Sequence, residues 1–301
     1  MEVFKNPFIT YKSYGKLNLF LEIVGVNQHK YHLLNSYFSF VDLFDLMTFV
    51  KMDNPNFGVE LVINGEKISS ERAEENIILK AIRTIEEMFN FKCNFKIELE
   101  KNIPIGGGMG GGSSNCATTL KFLNKHYNLG LDKQKLIDIG VSLGVDVPFF
   151  INSKSCFVSG IGEKFEEIEN NELNNLYVLV VNPKVEVWTK EVFELYDEEH
   201  AGEFLKFVKY NKAESSLIDF IKSRKNDLQE FAIEIAPEIK ELVATIQSSK
   251  DCIFGRMSGS GSTCFGVFKN KEDAKNCMDK ILEKKPHYFA VIIRFLDRVQ
   301  N

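Results

Sequence analysis

A chain of 301 residues, 44% of them hydrophobic, is long enough for two domains, or one large one, with a sizeable core. Its formal net charge of −5 excludes the global basic field that draws a nucleic-acid backbone. No apolar run reaches the roughly 18 residues of a membrane span, and Met1–Thr10 lacks the apolar core and small-residue cleavage site of a signal peptide, so the cytoplasm is the expected compartment. Cys93, Cys116, Cys156, Cys252, Cys264 and Cys277 form no CxxC pair and read as reduced packing residues.

Leu17–Val24, LNLFLEIV, puts Leu17, Leu19, Leu21 and Ile23 on one face, which predicts a strand with Asn18 on the other face and Lys16 at its start. A second apolar run, Leu33–Val50, is broken by Asp42 and Asp45. Between them His29-Lys30-Tyr31-His32 reads as a polar-aromatic turn. Two histidines fall short of the three or four ligands that zinc takes, so surface or substrate contact is the expectation there. Ile77–Phe89 has helical period, with Ile78, Ala81, Ile82, Ile85 and Met88 in one stripe and Asn76 at the N-cap position.

Phe95–Leu99 predicts a strand and Ala117–Leu123 a helix. Between them lies Lys101–Asn115, KNIPIGGGMGGGSSN, with glycine at every position from Gly106 to Gly112 except Met109. Glycine lets the backbone reach positive φ and lets a ligand come close. The Ser113-Ser114 pair then predicts a helix start, where open N–H groups and the helix dipole favour an anion. No lysine follows the glycines, so this is not a P-loop. A GxGxxG string can be found in Gly106–Gly111, but any glycine-dense run matches it. Asp132, near the distance of a dinucleotide fingerprint's acid, looks like a helix start. A flexible linker is the other reading; the periodic strand and helix on either side favour a phosphate cradle.

Asp132–Leu143 predicts another helix, stopped by Gly144. Asp146 then stands among Val145, Val147, Phe149 and Phe150, as a desolvated carboxylate or as a helix cap or turn residue. Gly160–Glu163 reads as a turn and the acidic Glu166–Asn175 as a connection between domains. Leu176–Val181 predicts a strand closed by Asn182-Pro183, followed by a short helix with Phe193 and Tyr196. Asp197–Asn226 reads as solvated helices and Leu228–Ile246 as a helix around Pro237. A second glycine loop, Ser258–Thr263, feeds a strand over Cys264–Phe268, then a helix over Lys271–Lys284 and a strand over Tyr288–Phe295. That alternation suggests an α+β second domain.

Lys16-Leu17-Asn18, Pro104–Ser114 and Ser258–Thr263 together resemble the GHMP kinase superfamily of galactose, homoserine, mevalonate and phosphomevalonate kinases, from about Ser13 to Phe295. Tyr31-His32 and the extended glycine run, with Leu143–Phe150, Gly160–Glu163 and Asn226-Asp227-Leu228, resemble one subgroup. Its acceptor is 4-diphosphocytidyl-2-C-methyl-D-erythritol, of the non-mevalonate (MEP) isoprenoid pathway. The resemblance implies an α+β, two-domain GHMP kinase fold: an ATP-binding α/β domain over residues 1–172 and an α+β, ferredoxin-like substrate domain over 173–301, with the active site in the cleft between them.

It further implies Lys16 and Asp146 as the catalytic pair. Pro104, Ile105, Gly106, Gly107, Gly108, Met109, Gly110, Gly111, Gly112, Ser113 and Ser114 would wrap the ATP triphosphate, with Asn76 and Lys101 at nucleotide-contact positions. Asn18, Tyr31, His32, Phe38 and Phe193 would hold the cytidine end of the acceptor, with stacking from Tyr31 and Phe193, and Ser260 would close over the phosphates. ATP with Mg²⁺ is the implied cofactor and no side chain is assigned as a metal ligand. The implied partner is a small-molecule CDP-alcohol, with no nucleic acid and no membrane, and the chain is expected to be a monomer or weak homodimer. Two departures stand out: the subgroup usually reads Asp-Gly-Tyr-His where this chain has His29-Lys30-Tyr31-His32, and Met109 replaces a common leucine. Another small-molecule kinase of the superfamily, or a non-catalytic nucleotide-binding protein of the same fold, are the competing readings.

Overall fold

The computed structural model describes residues 6–54, 56–67, 74–169, 172–200 and 202–300. Two long antiparallel strands, β1 (Phe8–Val26) and β2 (His32–Lys51), form its spine. β1 runs along one edge of β2. The other edge takes β6 (Cys156–Gly160) beside Leu34–Phe38, β11 (Phe289–Leu296) beside Phe40 and Val41, and β5 (Phe95–Glu100) beside Leu46–Lys51. β3 (Val59–Ile63) lies parallel to β5 and pairs with β4 (Glu66–Lys67), while β7 (Lys164–Glu166) closes a hairpin with β6. Covered on both faces, the middle of β1 is buried continuously, as strands enclosed on both faces are.

Helices α1 (Ile77–Phe89), α2 (Gly111–His126), α3 (Lys133–Leu143) and α4 (Val147–Asn152) pack on one face of this sheet. Phe122 of α2 stacks on Phe49 of β2 with centroids 3.7 Å apart. In α1, Asn76 caps Ile78 N at 2.9 Å and Ile78, Ala81, Ile82 and Ile85 are buried, but Met88, expected in the same stripe, is 54% exposed.

After residue 176 the order is β8 (Tyr177–Asn182), α5 (Thr189–His200), α6 (Leu217–Ser223), α7 (Gln229–Ile235), α8 (Glu238–Gln247), β9 (Cys252–Met257), β10 (Cys264–Phe268), α9 (Lys271–Lys284) and β11. The antiparallel spatial order β11-β8-β10-β9 is that of a ferredoxin-like split βαβ unit. β11 pairs with both β8 and β2, so one sheet runs through the chain.

Several expectations need correction. β1 begins well before Leu17, and a bulge between Asn18 and Phe20 breaks its alternation. Leu17, Leu19 and Phe20 therefore enter one core cluster, while Leu21 and Ile23 enter another. Among the described residues, Asp197–Asn226 holds α6 alone beyond the end of α5 at His200, and Phe220 and Ile221 of α6 are buried. The single helix expected over Leu228–Ile246 is two, divided at Pro237, which has no amide to donate. The expected connection Glu166–Asn175 includes residues 170 and 171, and Met1–Thr10 includes residues 1–5, which lie outside the described set.

The six cysteines are free. Burial pushes the thiols of Cys93, Cys116 and Cys156 up to about 12, in keeping with a packing role. Among the described residues no helix is long and apolar enough to cross a membrane.

Candidate active site

A cavity of about 620 Å³ opens between the glycine-rich turn, the bulged part of β1, the start of α4 and the segment leading into α5. That volume suits a small-molecule site. The chain conformation on its floor is set by one buried carboxylate. Asp45, fully buried in β2, accepts from the amides of Asn102 (2.8 Å) and Ile103 (2.9 Å), from Asn115 Nδ2 (3.0 Å) and from the Lys101 ammonium. Four donors on one carboxylate satisfy a charge that would otherwise be costly to bury, and they fix both ends of the glycine run. The only sequence signal for this role was that Asp45, like Asp42, interrupts an apolar run.

Between those anchors the backbone turns at Gly106, Gly108 and Gly110, each at positive φ. At Gly108 a Cβ would lie 2.2 Å from Ser258 O, so glycine is required there by the approach of the second glycine loop, not by a ligand. Ser258 Oγ donates to Gly108 O at 3.1 Å and accepts from Asn18 N at 3.1 Å, which joins both glycine loops to β1. Asn226 extends the joint: its Nδ2 donates to Met257 O at 2.9 Å and to Gly259 O at 2.8 Å.

α2 starts at Gly111, ahead of the expected Ser113-Ser114 start, with Gly110 at its N-cap in the left-handed region and no side-chain cap. Its first intrahelical bond is Ser114 N to Gly110 O at 2.8 Å. The amides of Gly111, Gly112 and Ser113 are therefore left as the helix's open donors, and all three residues line the cavity. Positive N-terminal dipole and free N–H groups together favour an anion.

Across from that terminus stand Lys16 and Asp146, Nζ to Oδ2 3.3 Å. Lys16 is 3% exposed. Its amide donates to Met109 O at 3.0 Å, its ammonium donates to Asn18 Oδ1, and it lies 4.5 Å over the Phe38 ring. Asp146 occupies the N-cap position of α4 but makes no cap bond. The cap alternative raised by its sequence context is thus not the role its side chain plays; its carboxylate faces the cavity and the lysine.

Of the residues expected at the nucleotide, Asn76, Lys101, Pro104, Ile105, Gly106, Gly107, Gly108, Gly110, Gly111, Gly112 and Ser113 line the cavity. Met109 and Ser114 point away: Met109 is core, and Ser114 Oγ donates to Tyr14 O at 2.6 Å. Of those expected at the acceptor, Asn18, Phe38, Phe193 and Ser260 line it, while Tyr31 and His32 lie outside the lining.

Tyr31 is 56% exposed, in a turn where Asn27 Oδ1 accepts from His29 N (2.9 Å) and Tyr31 N (3.0 Å). Lys30 takes φ 63° there, so the turn keeps a left-handed residue although the glycine usual in the subgroup is gone. The His32 ring lies 4.6 Å from Phe193, tilted by 31°, and its Nε2 donates to Asp197 Oδ1 at 2.7 Å.

No cluster of three or more His, Cys, Asp or Glu suited to a metal occurs among the described residues. Asp146 offers a carboxylate oxygen in the cavity, which fits a cation that takes its other ligands from phosphate and water.

Comparison with known proteins bears on the same elements. Residues 76–154 match the family model for the GHMP kinases N terminal domain, and residues 213–287 the model for GHMP kinases C terminal. The 4-diphosphocytidyl-2-C-methyl-D-erythritol kinase of Wolbachia pipientis wMel is 34% identical over 285 residues, covering 93% of this chain and 96% of the relative. The protein of that name from Clostridioides difficile (strain 630) is 32% identical, covering 94% and 95%. Among solved structures, a 4-(cytidine 5'-diphospho)-2C-methyl-D-erythritol kinase superposes with TM-score 0.72 at 24% identity, covering 95% of this chain and 99% of that one. The Methanococcus jannaschii mevalonate kinase superposes with TM-score 0.67 at 16% identity, covering 97% and 99%. At these identities the two structures speak for the fold.

Proposed function

The chain belongs to the 4-diphosphocytidyl-2-C-methyl-D-erythritol kinase family of GHMP kinases, and from that premise we propose that it transfers the γ-phosphoryl group of ATP to the 2-hydroxyl of 4-diphosphocytidyl-2-C-methyl-D-erythritol. The products are the 2-phosphate and ADP. The observation that carries the reading is the Lys16–Asp146 pair, 3.3 Å apart, sharing one cavity with the open N-terminus of α2.

Phosphoryl transfer runs through a loose transition state, so positioning and charge stabilisation supply most of the acceleration. The amides of Gly111, Gly112 and Ser113 would hold the β- and γ-phosphates as preorganised dipoles. Asp146 would orient the acceptor hydroxyl and take its proton as the bond from oxygen to phosphorus forms and the bond to the ADP oxygen breaks. Lys16, held by Asn18 and Asp146, would stabilise charge on the acceptor oxygen. Mg²⁺, when bound, would neutralise the β- and γ-phosphates, with Asp146 the side chain placed to contact it. Asn76 and Lys101 would face the nucleoside of ATP, and Asn18, Phe38, Phe193 and Ser260 the acceptor, with Tyr31 and His32 reaching it only by a shift of the 27–32 turn. The same reading divides the chain at 172/173, gives it a small-molecule acceptor and no nucleic-acid partner, and has it act in the cytoplasm as a monomer or weak homodimer.

The test is a kinase assay with ATP, Mg²⁺ and a panel of alcohols: the CDP-alcohol, mevalonate, homoserine and galactose. Turnover confined to the CDP-alcohol is expected. Turnover of another member of the panel in its place would reassign the acceptor.

A further inference from the structure

We propose that the hairpin tip Gly160-Ile161-Gly162-Glu163 is a positioning element of the active site, in which Gly162 bears on the peptide unit of Asp146 and sets the direction of its carboxylate. The inference rests on the functional reading above for the task of Asp146, and not for the identity of the acceptor. None of the four residues lines the cavity, so whatever they do for the reaction they do through a neighbour.

Asp146 has little of its own to hold it. It makes no cap bond at the start of α4, and the Val145 side chain beside it is 54% exposed. Val147 N donates to Gly144 O at 3.1 Å, which closes a turn around it. Further support comes from Gly162. A Cβ there would stand 2.9 Å from Val145 O, the oxygen of the peptide that joins Val145 to Asp146, and Gly162 takes φ 118°. Glycine is what lets the tip touch this peptide without displacing it.

The tip is itself pinned. Glu163 folds back over Gly160, and its Oε2 accepts from Ile161 N at 2.6 Å; Gly162 N donates to Ser159 O at 3.3 Å. β6 ties the hairpin to β2, from Leu34 opposite Gly160 to Phe38 opposite Cys156. Phe38 is also the ring under the Lys16 ammonium, 4.5 Å away. One strand thus holds both members of the pair: Lys16 through Phe38, and Asp146 through β6, Gly162 and Val145 O. A supporting shell of this kind keeps reacting groups within about 0.5 Å of productive geometry, and a misplacement of about 1 Å can cost about 10²-fold in rate.

The test is a kinetic cycle on the full chain with ATP, Mg²⁺ and the CDP-alcohol. Gly162→Ala is expected to lower kcat roughly tenfold to a hundredfold and to leave KM for ATP within about twofold. In an Asp146→Asn background the same change should cost less than about twofold, because the carboxylate it misdirects is already gone. A fold loosened in general would lower activity in both backgrounds alike. Glu163→Ala frees the Ile161 amide and should show the same pattern at smaller size, while Glu163→Gln, whose amide oxygen still accepts from Ile161 N, should recover kcat. If Gly162→Ala does not fold, Glu163→Ala carries the cycle. Equal losses in the two backgrounds would overturn the proposal, as would a Glu163→Gln variant no better than Glu163→Ala. Wild-type turnover in Asp146→Asn would sink the functional reading separately. A crystal structure of Gly162→Ala would then decide the positioning alone: the Lys16–Asp146 pair parted if the proposal holds, intact if it does not.

Discussion

Lys16 on a strand and Asp146 at the mouth of a six-residue helix are brought to 3.3 Å by a register shift on one side and an unused cap position on the other. The β1–β2 register shifts between Tyr14 and Lys16, and at Lys16, which pairs with Phe40, the amide bonds to Met109 O of the glycine loop. Asp146 forgoes the cap bond its position offers. Both residues are thereby aimed at one point beside the open N-terminus of α2.

Asp146→Asn keeps the shape and removes the base and the negative charge. It should lower kcat at least ~10²-fold with little change in KM for ATP. Lys16→Met should also cost activity severely, and the double variant should be far less damaged than the product of the two single losses, because the pair acts as a unit. Steady-state kinetics on the three variants checks this. Multiplicative losses would mean that the two residues act independently.

The glycines of the central turn divide into those that serve packing and those that serve access. Gly108→Ala would drive a Cβ to 2.2 Å from Ser258 O at φ 71°, against backbone that cannot retreat. A loss of at least about 2 kcal/mol in urea unfolding is expected. At Gly112 the added methyl meets only Ile77 Cγ2, at 3.9 Å, in a helical residue. Gly112→Ala should therefore stabilise the fold by roughly 0.5 kcal/mol while raising KM for ATP, since the methyl stands beside an amide left open for phosphate. A variant that is both more stable and unimpaired toward ATP would remove α2's N-terminus from the site.

How much of this was legible beforehand depended on whether the signal was local. Asn76 as a cap, Phe95–Leu99, Lys271–Lys284 and Cys264–Phe268 rest on periodicity and end signals within the element, and the structure places them where they were expected. The β1 bulge left no such trace, and it reverses the facing of Leu21 and Ile23 relative to Leu17 and Leu19. Asp45 looked like an interruption of a strand because its four donors come from residues 101–115, far along the chain. The glycine run was read as a ligand approach, yet Gly108 is needed chiefly because Ser258 arrives from the other end of the sequence. Tertiary partners decide such roles, and one sequence does not name them.

Phe193 offers a test that separates recognition from folding. It packs on His32, and His32 is fixed by Asp197. Phe193→Ala should raise KM for the CDP-alcohol about tenfold and leave KM for ATP within about twofold. Asp197→Asn weakens the hold on the imidazole without touching the cavity and should give a smaller shift in the same direction. Equal rises for both substrates in Phe193→Ala, with a lowered melting temperature, would identify plain loss of packing.

Lys121 makes a prediction about pH. Its ammonium, on α2, donates to Phe150 O at 2.8 Å and to Ser153 Oγ at 2.5 Å at the end of α4. Burial, with the Lys133 charge as a lesser cause, brings its pKa down to about 8 from the ordinary 10.5. The folded state then binds fewer protons at this group than the unfolded state between those two values. Stability must therefore rise with pH across that window, while below about pH 8 the full cost of burying the charge is present. From about pH 7.5 to about pH 9.5 the gain from this group is about 2 kcal/mol. Lys121→Met removes the titration. It also leaves Phe150 O without that donor, but this penalty is the same at both pH values and drops out of the difference. Urea unfolding at the two pH values should show wild type gaining about 2 kcal/mol more than Lys121→Met, with the raised thiols and phenols common to both proteins. Parallel pH profiles would mean that the ammonium is solvated in the folded protein and that the contact with α4 carries no desolvation cost.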